Sequence, residues 1–204
     1  MNQLLSLSAG DLLDRFASDQ PTPGGGSAAA LAGALAAALV QMVAGLPKTR
    51  TGAADEREKL DAAKASAAKA GARLRELVDL DTDAYNAVTA AYRLPKATDA
   101  EKASRTAAIA AAMRQATDIP LESVECAATV LRAAAQTLAH GNANAASDVR
   151  TAIALCRAAL DAGAENVRAN IASPSLANET PLYLARLEAL RAPLESMLGN
   201  PSRK

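Results

Sequence analysis

From Ser27 to Leu46 twenty successive residues carry no charge, and more than half of them are Ala or Gly. A run of that kind predicts a helix buried on most of its circumference, ended by Pro47. Charge returns downstream. In DLDTDAYNAVTAAYRLPK, Ala84, Tyr85, Val88 and Ala91 fall on compatible helical faces, while Asp79 and Asp83 stand one turn apart on the same side. This belongs to a long helix from about Ala54 to Leu94, stopped by Pro95. Ser8 with Asp11 three residues on resembles a capping box for a short helix reaching about Ser18, and Asp19 to Gly26 reads as loop. Pro120 is expected to divide the next helical region into Asp99 to Thr117 and Leu121 to His140. Gly141 supplies a stop, Asn142 and Asn144 suit a turn or cap, and a further helix runs to about Ile171. The last helix is expected from Pro181 to about Leu198, bent near Pro193.

Composition sharpens the pattern. Alanine, the strongest helix former, makes up about a quarter of the chain and aromatic residues only 2%, so strands rich in β-branched and aromatic residues cannot be assembled. The expected fold is all-α, a single-domain helical bundle without internal repeat or dividing linker. Lys and Arg together count 22, as do Asp and Glu, which leaves no net positive field to hold nucleic acid. Cys126 and Cys156 are far apart, and Asp11 and Asp14 interrupt the N-terminal stretch where a signal peptide needs an apolar core. A reducing, cytoplasmic setting is expected. With a single histidine, His140, and no CxxC or HExxH grouping, no metal site is expected.

The stretch PTPGGGSAAALAGALAAAL, from Pro21 to Leu39, raises the sharpest question. Gly24, Gly26 and Ala29 formally match a dinucleotide-binding spacing, but no strand precedes them, and no Gly-Lys-Ser/Thr exists for a P-loop. The uncharged run has the length of a membrane span, yet its alanines contribute little to insertion and no second span follows. What three glycines do allow is positive φ or close approach of another group, beside free N–H groups opening a helix. The helix after them has too little bulky apolar surface to be satisfied by a small monomeric core but suits close helix contact, so a homodimer packed through it is expected.

Two more segments carry candidate chemistry. Asp79, Asp81 and Asp83 are simplest as solvated helix charges. In GNANAASD, Asn144 and Asp148 are four apart and face the same way, although Asn142 and Asn144 also suit ordinary capping.

Taken in order, PTPGGGSAAALAGALAAAL, DTDAYNAVTAAYRLPK, ATDIPLE and GNANAASDVRTAIALCRAALDAGAENVRANI closely resemble the cyclodeaminase/cyclohydrolase family of folate enzymes, over about Leu12 to Ile171. The resemblance implies an all-helical homodimer that binds tetrahydrofolate derivatives and needs no cofactor beyond that substrate. Two reactions at the carbon bridging N5 and N10 are implied as alternatives. One is hydrolysis of 5,10-methenyltetrahydrofolate to 10-formyltetrahydrofolate, favoured by the absence of a transferase half. The other is cyclodeamination of 5-formimidoyltetrahydrofolate; a helical dimer that binds folate without turnover is a further alternative. In either reaction carboxylates and lysine are the available acids and bases. Asp83 is expected to orient and deprotonate the attacking water, with Lys96 serving the departing nitrogen. Asp148, Asn142 and Asn144 are expected to hold the pterin, and Gly24, Gly25, Gly26 and Ser27 to offer backbone contact to an oxygen of the ligand. Arg93, Lys48 and Arg50 are candidates for its anionic tail.

Overall fold

The alanine-rich stretches fold as helices of very unequal length. A computed structural model describes residues 3–194. In these, six α-helices follow one another: α1 (Ala9–Ala17), α2 (Gly25–Ala44), α3 (Ala54–Tyr92), α4 (Asp99–His140), α5 (Ala146–Ile171) and α6 (Thr180–Arg191). Among the described residues the strand-like element is one isolated bridge, between Thr49 and Gly141. The expected all-α class is therefore observed.

Helices α2 to α5 run up, down, up and down. Close approaches fix this order. Gly26 faces Asp81, Gly33 faces both Leu74 and Ala159, and Gly71 faces Ala37, so α3 and α5 each lie antiparallel to α2. Gly163 of α5 sits against Val124 of α4, and Arg73 of α3 reaches Glu122 of α4. Alanine and glycine at these crossings let backbones come together where leucine would hold them apart. The main core extends from Leu4 to Leu194, with Val40, Leu74, Leu77, Val124, Leu131, Leu160 and Val167 at its centre. A smaller cluster, Ala91, Ile109, Ala112, Met113 and Leu176, continues it beyond the bundle's end.

Pro120 does not divide the helix it was expected to divide. α4 runs unbroken through it. A proline in mid-helix removes one N–H and leaves the carbonyl four residues earlier without its partner. Here that carbonyl, of Ala116, accepts a hydrogen bond of 2.6 Å from the Asn170 side chain of α5. Pro120 itself is buried against α5 near Gly163, where the two helices approach closely. The substitute donor comes from a residue fifty positions away, which is why the local pattern misleads.

A second expectation is corrected at α2. The reasoning that its small residues could not be satisfied inside one chain fails, since Ala29, Ala30, Ala36, Ala37, Val40, Val43 and Ala44 are buried by α3, α4 and α5 of the same chain. α2 is long and apolar enough to cross a membrane, and 56% of that stretch is buried inside the protein. One face remains uncovered: Ala28 is exposed, Leu31, Ala32, Ala38 and Leu39 are half-buried, and Leu35 and Met42 are 53% and 48% exposed.

The ends differ modestly from expectation. α2 begins at Gly25, two residues before the expected Ser27, and α3 ends at Tyr92. α6 docks through Tyr183, whose hydroxyl donates to Asp118 at 2.8 Å, and through the Arg114–Glu179 ion pair. It gives way at Ala192 to a 3-10 turn containing Pro193, where a bend was expected; Leu198 lies outside the described residues.

Candidate functional site

The later half of α3, the segment leading into α2 and the N-terminal segment enclose a cleft of about 890 Å³. That size falls within the usual range for small-molecule sites. Its floor is a stripe of α3 at helical spacing: Arg73, Glu76, Asp79, Leu80, Asp83 and Asn86. Thr22 and Pro23 of the PTPGGGS segment close one side. The other side is the N-terminal segment, with Leu4, Leu7 and, on the last turn of α1, Arg15. The segment stays in place because Leu4 is buried and its N–H donates to the Asp79 carboxylate at 2.8 Å. Leu7 and Leu12 pack on the main core beside it.

The three neighbouring aspartates thus have three different surroundings. Asp79 is used to hold Leu4. Asp81 turns the other way, toward α2, and accepts from the Ser27 hydroxyl at 3.0 Å and from the Ser27 backbone N–H. Burial pushes its carboxyl above the ordinary range, opposed by those two bonds from Ser27. Asp83 lines the cleft and makes no hydrogen bond or ion pair with any described residue.

This arrangement answers what the glycines do. Gly24 and the helical Gly25 and Gly26 all have negative φ; among the described residues the glycine with positive φ is Gly52. Of the two roles expected for these glycines, positive φ is not used and close approach of another group is. A Cβ on Gly26 would lie 2.6 Å from the Asp81 carboxyl carbon, closer than two non-bonded carbons tolerate. Gly25 faces Asn166 of α5, whose amide would be 3.4 Å from an added Cβ. The N–H of Ser27, expected to meet a ligand oxygen, is already occupied by Asp81. Asp81 was legible in principle, because Leu74, Leu77, Val78, Asp81 and Ala84 share the spacing of the buried face, and a carboxylate at a core register is seldom a solvated one.

The remaining candidates lie elsewhere in the chain. Arg93 and Lys96 are exposed beyond the end of α3, roughly 14 Å of helix or more from Asp83, and do not line the cleft. Asn142, Asn144 and Asp148 sit at the opposite end of the bundle. Asn142 caps a 3-10 turn by accepting from the Asn144 N–H at 3.0 Å, so the capping role read from sequence is real. Asp148, in the first turn of α5, makes no hydrogen bond or ion pair with any described residue. From the level of Asp148 to that of Asn166 beside Gly25 is roughly 27 Å along α5.

That far end also holds the loop between α2 and α3. The Thr49–Gly141 bridge ties it to the turn before α5, and the Arg50 side chain donates to the Leu138 carbonyl at 2.6 Å. The Glu56 carboxylate gathers the Thr51 and Gly52 N–H groups at 2.9 and 3.1 Å. The Thr51 N–H above all, with the Thr49 and Thr51 hydroxyls and Gly52, holds Glu56 down to about 2. Lys48 is exposed beside it, free of hydrogen bonds and ion pairs with described residues. One copy therefore carries the two signature segments at opposite ends of α2.

Comparison with known proteins places these features in a family. Residues 8–180 match the family model described as formiminotransferase-cyclodeaminase. The chain is 39% identical over 158 residues to methenyltetrahydrofolate cyclohydrolase of Methylorubrum extorquens, covering 78% of this chain and 76% of that one. It is 35% identical over 134 residues to formimidoyltransferase-cyclodeaminase of Rattus norvegicus, of which it spans 24%. The solved structure of formiminotetrahydrofolate cyclodeaminase from Thermotoga maritima superposes with a TM-score of 0.83 at 26% identity, over 96% of this chain and 93% of that one.

Proposed function

This chain belongs to the formiminotransferase-cyclodeaminase family, and from that premise we propose that it hydrolyses 5,10-methenyltetrahydrofolate to 10-formyltetrahydrofolate. The observation that carries the reading is the unpartnered Asp83 carboxylate, set in a cleft of ligand size against the glycine segment. The methenyl bridge is an amidinium, cationic and electrophilic at carbon. A neighbouring carboxylate attracts the cation, orients a water and takes its proton as oxygen bonds to carbon. The tetrahedral carbinolamine then expels N5, which leaves with a proton, and the formyl group remains on N10. Because the carbon is already activated, the step asks for no metal or nucleotide. The cleft gives Lys96 no role within one copy.

The working assembly in this proposal is a homodimer. The uncovered face of α2 reads Ala28, Leu31, Ala32, Leu35, Ala38, Leu39 and Met42, without a charge and centred on Leu35. A two-fold axis at Leu35 would set Ala28 of one copy against Met42 of the other and Leu31 against Leu39, an isologous apolar contact of small and large side chains. The same operation sets the beginning of one α2 beside the end of the other. Asn142, Asn144 and Asp148 of the second copy would then approach the glycine segment and Asp83 of the first, where their amides and carboxylate suit the amino-pyrimidinone edge of a pterin. Covering this face with protein leaves α2 as core rather than membrane span, and a cytoplasmic setting suits the two free cysteines.

Cyclodeamination of 5-formimidoyltetrahydrofolate is the second reading, supported by the Thermotoga maritima structure. Both reactions are measured on one preparation. Loss of methenyl absorbance above the spontaneous rate, reduced about 100-fold or more by Asp83→Asn at little-changed affinity, is the expected result. Ammonia release without methenyl hydrolysis shifts the assignment to the deaminase. Turnover by neither route, or full activity in Asp83→Asn, overturns the mechanism.

A further inference from the structure

Two arginines line the cleft, and their situations differ. Arg73 is committed twice, donating to Glu76 at 2.5 Å and to Glu122 at 2.7 and 2.8 Å. Arg15 makes no side-chain hydrogen bond or ion pair with any described residue, although Glu76, Asp79 and Asp83 line the same cleft. Arg15 was not among the residues the sequence singled out, since an arginine in the last turn of a helix ordinarily serves the helix dipole. Its position is nevertheless held: Ser8 caps α1, Leu7 and Leu12 pack on the core, and Asp79 fixes Leu4.

The cleft therefore presents one unpaired carboxylate, Asp83, on α3 and one unpaired guanidinium, Arg15, on α1. We propose that Arg15 is a specificity-determining residue that receives the carboxylate tail of the substrate while Asp83 faces its cationic ring. The proposal rests on the folate reading above and deepens it. A methenyl folate is positive at the bridging carbon and negative at its glutamate, so a cleft with the reverse charges orients it as well as attracting it. A guanidinium matches a carboxylate with two parallel hydrogen bonds, a geometry that lysine cannot supply.

The test compares equilibrium binding of tetrahydrofolate with that of tetrahydropteroate, which lacks the glutamate, by anaerobic titration calorimetry. Arg15→Gln is expected to weaken tetrahydrofolate about 10-fold or more and to leave tetrahydropteroate unchanged, with Arg15→Lys in between. A dipole role would leave both affinities alone, and general damage to the cleft would weaken both. Either outcome overturns the proposal, as does a wild-type protein that binds the two compounds equally. Turnover is scored separately. Protein that shows the Arg15-dependent preference without hydrolysing methenyltetrahydrofolate loses the proposed reaction but keeps the tail contact, and the reverse result separates the two in the other direction.

Discussion

Gly26→Ala is the change whose cost the structure lets one work out. Inside a helix alanine is intrinsically better than glycine by up to about 1 kcal/mol, so local propensity predicts a gain. Geometry predicts the reverse. The added methyl would stand 2.6 Å from the Asp81 carboxyl carbon and 2.8 Å from one of its oxygens, and the carboxylate must move. Moving it breaks the 3.0 Å bond from the Ser27 hydroxyl and the bond from the Ser27 N–H. Ser27 is completely buried, and of its two donors only the hydroxyl has another oxygen within reach, that of Thr82 at 3.4 Å. Bonds to a charged group contribute roughly 1.5–3 kcal/mol each, and overpacking costs about 1–3 kcal/mol. Allowing for relaxation of a half-buried carboxylate, the net expectation is a loss of about 2–4 kcal/mol. For a chain of this size that lowers the melting temperature by roughly 5–15 °C. Urea unfolding followed by circular dichroism measures it. The double variant Gly26→Ala/Asp81→Ala supplies the control, because once the carboxylate is gone the methyl has room and the two effects should fall well short of adding. A Gly26→Ala protein as stable as wild type, or fully additive effects, would show that the glycine does not exist for Asp81.

Three further outcomes are expected. Asn170→Ala orphans the Ala116 carbonyl beside Pro120 and should cost about 1–3 kcal/mol in urea unfolding, most of it recovered when Pro120→Ala restores the helix's own N–H; a neutral Asn170→Ala rejects that account. Glu56 titrates at about 2 in the folded chain, below its ordinary 4.5, so its contribution is complete above 4.5 and fades as the pH falls toward 2; Glu56→Gln should flatten the acid side of the stability profile over that window, and an unaltered profile speaks against the cap. Leu35→Glu with Met42→Glu places charge on the uncovered face of α2 and should give a folded monomer in sedimentation, with turnover down about 100-fold or more; a variant that stays dimeric, or a monomer that keeps activity, removes the composite site.

Much of the fold was legible because its signals are local. The run of alanine, the Ser8 cap and the stops at Pro47 and Pro95 act within a turn or two of where they stand, and the helices follow. The misreadings share one cause, a partner distant in sequence. Pro120 continues a helix because Asn170 supplies the missing donor across the α4–α5 contact. α2 was judged too small-sided to be satisfied within one chain, yet small side chains are what allow α3 and α5 to close on it at Gly33 and Gly71. The charge state of a cleft is only partly local: Arg73 has Glu76 one turn on in its own helix, but its two further bonds go to Glu122 on another helix, which the neighbouring sequence does not announce.

The aspartates of DLDTD carry the same reasoning to the chemistry. Asp79 and Asp83 share one side of the helix, and at about 100° per residue the two-residue step turns Asp81 away from it. Asp79 meets the N-terminal segment, Asp81 meets the opening of α2, and Asp83 meets the cleft. A carboxylate holding a buried N–H is a poor base, since protonating it would release the group it holds. By that criterion the first two are builders of the site. Asp79 fixes the segment that presents Arg15, and Asp81 sets the end of α2 from which Thr22 and Pro23 lead into the cleft wall. What they leave between them is a third carboxylate with open lone pairs on a rigid helix, which is the condition a general base must meet before its proton affinity matters at all.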